Sequence, residues 1–186
     1  MKIFKRFNSE LVKILKTGGV GVIPTDTIYG LVGSALNKKT VERVYKLRHR
    51  NSKKPMIILI GEISDLKKFG INLSHVSRKL VAKFWPNKIS IIFDCPQPKF
   101  RYLHHGTKTL AFRLPKDKKL QAFLKKTGPL VAPSVNFEGQ SPAKTIKEAQ
   151  KYFGDKVNFY VDAGKLAVKP SKLISIIKGK IEYLRK

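Results

Sequence analysis

The sequence has 186 residues, of which 42% are hydrophobic, with 11 Phe, 6 Tyr and one Trp; it is long enough for a domain with its own core, and this composition excludes a disordered chain. Lys and Arg number 39 against 12 Asp and Glu, a net charge of +27, which attracts polyanions. The one cysteine, Cys95, excludes an internal disulfide framework and a multi-cysteine metal site.

In chain order, Asn8-Ser9 reads as the cap of a helix over Glu10–Thr17. Leu11, Ile14 and Leu15 share one face of it, and Gly18-Gly19 is the stop. Val20–Ile23 is a short buried strand closed by Pro24, and Asn37 caps a helix through about His49. Pro55 precedes Met56–Ile60, apolar on both sides as in a covered sheet and too short to span a bilayer. Helices are expected near Ile63–Phe69 and Ser74–Phe84, the latter ended by Trp85-Pro86. Ile89–Phe93 and Thr109–Leu114 read as strands, Asp117–Lys126 as a helix, Leu130–Ala132 as a strand and Thr145–Phe153 as a helix. Val157–Val161, Leu173–Ile177 and Ile181–Leu184 complete the set as strands. The fold class is therefore α/β (α+β by some schemes), with a twisted mixed sheet flanked by helices. Strands bunch near the C-terminus, which argues against a purely doubly wound sheet. No repeat or linker divides the chain, so a single domain over 1–186 is expected. MKIFKRFNSE lacks the apolar stretch of a secretory signal, and a cytoplasmic setting is the default.

Familiar catalytic signatures are missing. There is no phosphate loop of the GxxxxGK[ST] type, no GxGxxG, no HExxH and no GxSxG. His104-His105 are adjacent, and on an extended segment neighbours point opposite ways, which argues against a shared metal. Only 8 of the cations are Arg, and the lysines spread along the whole chain. That spread fits either a solvated surface or an electrostatic footprint for RNA.

Three polar segments stand out. Pro24-Thr25-Asp26-Thr27-Ile28-Tyr29-Gly30-Leu31 follows a buried strand, where ligand sites tend to form. Arg48-His49-Arg50-Asn51-Ser52-Lys53-Lys54-Pro55 lies between a helix and a strand. If extended there, Arg48 and Arg50 share one side and can grip an anion; a solvated basic helix end is the alternative. Pro133-Ser134-Val135-Asn136 follows a short strand, with Ser134 and Asn136 alternating onto one side. Each segment alone is also compatible with an ordinary turn or loop.

Together the three resemble the YrdC/Sua5/TsaC threonylcarbamoyl-AMP synthases, whose hallmarks are PT[DE]TxYGL, KxRPxxKPL and SxNxSG. The first is intact at 24–31, and Arg48 falls 24 residues after Pro24, where the family has the Lys of KxR. Trp85-Pro86, Thr109–Pro115, Pro170-Ser171 and Arg185 extend the resemblance over about residues 9–185. Departures are Arg48 for Lys, Asn51 for the Pro of KxRP, Lys172 in the late PST motif and Leu59 where some relatives place His.

The resemblance implies a single YrdC-like domain with a concave basic cavity. It also implies a reaction in which L-threonine, bicarbonate (or CO2) and ATP give L-threonylcarbamoyl-adenylate and pyrophosphate. Mg2+ comes with ATP. Partner threonylcarbamoyl transferase proteins then modify adenosine 37 of tRNA. By the same resemblance, Thr27, Tyr29, Arg113 and Ser171 hold threonine. Arg50, Lys54, Thr109, Ser134 and Arg185 hold ATP, and Arg48, Arg50, Ser134 and Asn136 act on the reacting groups. No metal is held by the protein itself. Asp26 is expected to be no more than a turn cap. The alternative is a YrdC-like module that binds double-stranded RNA or tRNA with weak or no catalysis.

Overall fold

The computed structural model describes residues 2–49, 55–177 and 180–185. Local chemistry sets its helices. In α1 (Ser9–Lys16) the Asn8 side chain accepts the Leu11 N–H at 3.0 Å. The helix ends in a Schellman arrangement: Gly18 N–H donates to Leu15 O, Gly19 N–H to Ile14 O, and Gly18 has φ +88°. Asn37 caps α2 (Lys38–Leu47) in the same way through Thr40 N–H. Ser74 caps α3 (His75–Ala82) and a short α4 spans Arg101–His104. Asp117 caps α5 (Lys118–Thr127) and Thr145 caps α6 (Ile146–Phe153). The helix expected at Ile63–Phe69 is a 3-10 segment. The Asp65 carboxylate there accepts the N–H groups of Gly61 and Glu62, which tightens its first turn.

Ten strands form one mixed sheet among the described residues. They are β1 (Lys2–Phe4), β2 (Gly21–Ile23), β3 (Gly30–Ser34), β4 (Ile57–Leu59), β5 (Ile89–Asp94), β6 (Thr109–Arg113), β7 (Leu130–Val131), β8 (Phe159–Val161), β9 (Lys172–Ile177) and β10 (Lys180–Arg185). Their spatial order is β1-β8-β2-β3-β7-β4-β6-β5-β9-β10. Strands β1–β8, β2–β8, β4–β6 and β5–β9 pair in parallel, and the other neighbours are antiparallel. The sheet is twisted and unclosed. Neither β1 nor β3 is anticipated from the sequence.

Alternation along the strands builds two layers. Ile23, Val32, Leu59, Leu130 and Phe159 meet Leu11 and Leu15 of α1 and Phe123 and Leu124 of α5. Their neighbours Val22, Leu31, Ile58, Val131 and Tyr160 point the other way, to Val41 and Val44 of α2 and Phe153 of α6. On β5, β6 and β9 the second layer continues with Ile91, Phe93, Phe112 and Ile174. On the opposite side of these strands, Ile92, Thr109, Ala111, Arg113 and Leu173 line a cavity instead of packing under a helix. No helix of the described residues is long and apolar enough to cross a membrane.

Candidate active site

The cavity measures about 450 Å3. Thr27, Tyr29, Arg48, Thr109, Arg113, Ser134, Ser171 and Arg185, all expected from the sequence, line it together. Arg50 and Lys54 lie outside the described residues.

The loop after β2 folds on its own hydroxyls. Thr25 Oγ1 donates to Ile28 O at 2.7 Å and accepts the Thr27 N–H at 3.2 Å. Its single proton is thereby used, so the 3.0 Å contact between the two hydroxyls has Thr27 as donor. Thr27, only 2% exposed, keeps its oxygen lone pairs as acceptors for an N–H group. The Tyr29 ring lines the cavity, while its hydroxyl donates to Gly164 O and accepts the Ala163 N–H, at 2.7 and 2.9 Å. Burial raises the pKa of this phenol and keeps it a donor.

Asp26 has a larger part than a turn cap. Its Oδ1 lies 3.2 Å from Arg113 Nη2, with both side chains almost wholly buried. Its Oδ2 accepts the Lys116 N–H at 3.0 Å. A buried guanidinium needs a counter-charge. Burial pushes the Arg113 pKa down, Asp26 pulls it back up, and Arg185 lowers it again. Asp26 is thus the counter-charge of Arg113, and Arg185 adds like charge nearby. The sequence signal for the pair is faint: an acid in a polar motif after one buried strand, and an Arg inside another.

Arg185 is brought in by β10. Its Nε donates to Ser171 O at 2.9 Å and its Nη2 to Ser171 Oγ at 3.3 Å. Ser171 Oγ also lies 3.0 Å from Ser90 Oγ of β5. The hairpin β9–β10 is thus fastened to the cavity wall. Thr109 Oγ1 donates to Thr107 Oγ1 at 3.4 Å at the mouth.

Arg48 caps the C-terminus of α2 with φ −86° and ψ −2°, so the extended reading of this position does not hold; the helix end turns it inward. Its Nε donates to Asn136 O at 3.1 Å, and its Nη2 reaches Asn136 Oδ1 at 2.9 Å and Ser134 Oγ at 3.2 Å. Ser134 accepts here and keeps its own proton for donation into the cavity. Asn136 is buried behind Arg48, and its Nδ2 donates to Phe137 O and Gln140 O. Its amide therefore holds Arg48 and the 136–140 loop in place. His104 Nδ1 accepts the Gly106 N–H, which ties this ring into its own turn.

The site can hold a carboxylate at Arg113, an N–H group at Thr27 and further negative charge between Arg48, Ser134 and Arg185. The Sua5–YciO–YrdC family model, described as "Telomere recombination", matches residues 13–186. The threonylcarbamoyl-AMP synthase of Bacillus subtilis is 30% identical over 84% of this chain. The alignment covers 46% of that relative, so the chain spans about half its length. A putative threonylcarbamoyl-AMP synthase of Methanocaldococcus jannaschii is 28% identical over 100% of this chain and 91% of its own length. Among solved structures, Pyrococcus abyssi Sua5 complexed with L-threonine superposes with a TM-score of 0.87 at 22% identity, covering 99% of this chain and 56% of that one. Escherichia coli YciO gives a TM-score of 0.84 at 22% identity, over 100% and 94% of the two chains. These two likenesses show the fold. The family model spans nearly the whole sequence and all three polar segments: the chain belongs to the Sua5–YciO–YrdC family.

Proposed function

We propose that the protein is an L-threonylcarbamoyladenylate synthase, a nucleotidyltransferase using L-threonine, bicarbonate or CO2, and ATP. The observation that carries this reading is the meeting of Thr27, Arg113, Ser134, Ser171 and Arg185 around one cavity. The names of the Bacillus and Methanocaldococcus relatives support it. So does the L-threonine held by the P. abyssi protein of the same fold.

The chemistry needs no protein nucleophile. Threonine's neutral amine adds to CO2, forming the N–C bond and releasing a proton. A carbamate oxygen then attacks the α-phosphorus of ATP as the bond to pyrophosphate breaks. Arg113, held by Asp26, receives the threonine carboxylate as a fork matches a carboxylate. Thr27 Oγ1 accepts the carbamate N–H, Tyr29 walls the pocket, and Ser171 closes its far end. Ser134 donates to the oxygen on which charge builds, and Arg48 adds positive charge beside it. Asn136 fixes that arginine. Thr109 and Arg185 lie against the nucleotide. Arg50 and Lys54 take the triphosphate on the strength of their motif, and Mg2+ accompanies it as part of the substrate. Positioning of this kind lowers a barrier by about 7–11 kcal/mol, and one well-aimed donor by about 3–4 kcal/mol. The product's threonylcarbamoyl group then passes, through partner transferases in the cytoplasm, to adenosine 37 of tRNA.

The test is pyrophosphate release with ATP, Mg2+ and bicarbonate, with and without L-threonine. Release is expected only with threonine, and Arg113→Lys should raise KM for threonine more than it changes KM for ATP. Threonine-independent release, or none, overturns the proposal. RNA binding without turnover would instead favour the non-catalytic module.

A further inference from the structure

A second hollow lies behind the cavity wall. It measures about 200 Å3 and is lined by Arg43, Lys46, Leu47, His49, Phe137, Tyr152 and Lys156. The proposed reaction uses none of these residues. The two hollows share their wall: Arg48 lines the first with Asn136 buried behind it, and their neighbours His49 and Phe137 line the second. Glu138 N–H donates to Arg48 O at 2.9 Å and clamps the two segments together.

The hollow has two kinds of surface. One is aromatic. His49 stacks on Phe137 with ring centroids 4.5 Å apart and 6° between planes, and Tyr152 meets Phe137 edge-on at 5.2 Å. His49 lines the hollow and is exposed, with one ring face on Phe137, which leaves ring surface for one more flat ring. Its φ of +49° holds it in that place. The other surface is cationic. Arg43 and Lys46 lie three apart on α2, hence on one helix face. Arg43 is anchored by neutral acceptors, Lys156 O at 2.7 Å and Asn158 Oδ1 at 3.1 Å, which brings Lys156 alongside without cancelling charge. Of the acids close by in sequence, Glu42 faces Lys38 at 3.9 Å, while Asp155 and Glu138 adjoin the lining residues Lys156 and Phe137.

An aromatic platform beside three cations is the chemistry that receives a nucleotide, base on ring and phosphate on cation. We infer that this hollow binds one unpaired nucleotide of an RNA strand, with its base on His49 and its backbone along Arg43, Lys46 and Lys156. The base must be free of its own stack to lie on His49, so the strand is single at that point. A polymer is favoured over a free nucleotide because the net charge of +27 adds long-range attraction for each further phosphate.

The test is fluorescence anisotropy of a labelled 12-nucleotide single-stranded RNA on the full chain across a salt series. Lys46→Gln with Lys156→Gln should lower the slope of log K against log salt by about 1.4. His49→Asn, which keeps a residue tolerant of positive φ, should weaken binding by about fivefold or more. Lys118→Gln with Lys119→Gln, on α5, serves as the control and should change affinity far less. Threonine-dependent pyrophosphate release should be the same in all three variants, which separates this inference from the proposed reaction. An equal loss in the α5 control, no loss in His49→Asn, or AMP competing as well as the 12-mer overturns the inference.

Discussion

The guanidinium of Arg113 is out of water, with Asp26 against it and Arg185 adding like charge nearby. Removing the carboxylate leaves the cation uncompensated, and breaking a buried pair costs far more than replacing both partners. Asp26→Asn should therefore lower the unfolding free energy by about 3 kcal/mol in urea titration, and adding Arg113→Met should restore part of it. A loss too small to measure contradicts the buried pairing. Arg48 makes a different case. Its fork reaches a carbonyl, an amide oxygen and a hydroxyl at once, a set that one ammonium cannot reproduce. Arg48→Lys should cost about 1–3 kcal/mol by the same measurement. The same geometry accounts for Arg at a position where the resembled family has Lys: this chain uses the side chain to join α2 to the 134–140 loop.

The caps at Asn8 and Asn37 were legible because they are local. An oxygen at Asn8, Asn37, Asp117 or Thr145 meets an N–H three residues on, whatever the rest of the molecule does. Strand β3 was not legible. Gly30-Leu31-Val32-Gly33-Ser34 has glycines at two of its five positions, and its strand character comes from β2 and β7 on either side. Strand β1 is likewise fixed by β8, far along the chain. Such contacts also fix the small residues. A Cβ on Gly21 would lie 2.3 Å from the Phe159 ring, which is locked in the core between α1 and α5. Gly21→Ala should thus cost about 1–3 kcal/mol, read as a lower thermal midpoint; an unchanged midpoint contradicts the packing. At the end of α4, His105 is left-handed with φ +46° and stands edge-on to Tyr45. Burial, and secondarily His104, push its pKa below 6.5. Folding therefore favours its neutral form. That contribution is fully present above about pH 6.5 and is lost as pH falls through the depressed value. Stability should decline on acidification from that point, and His105→Asn should flatten the decline; an identical pH profile in the variant contradicts it.

At the scale of the whole molecule, the cavity exists because the sheet is covered unevenly. Helices α1 and α5 close one face over β2, β3 and β4, and the same face over β5, β6 and β9 carries Ile92, Ala111, Arg113 and Leu173 into an open hollow. The motifs at 24–31 and 133–136 were visible in the sequence because each is contiguous. What joins them was not. Asp26 reaches Arg113, Arg48 reaches Ser134 and Asn136, and Arg185 reaches Ser171 only after the sheet is assembled. The central claim is that these residues hold threonine, a one-carbon acid and ATP together long enough to join them. Mass spectrometry of the adenylate formed from L-threonine, ATP and 13C-bicarbonate tests it directly. The account predicts a threonine–AMP adduct that contains one carbon from bicarbonate and is heavier by the labelled atom. An adduct of threonine and AMP alone, with no carbon from bicarbonate, would contradict it.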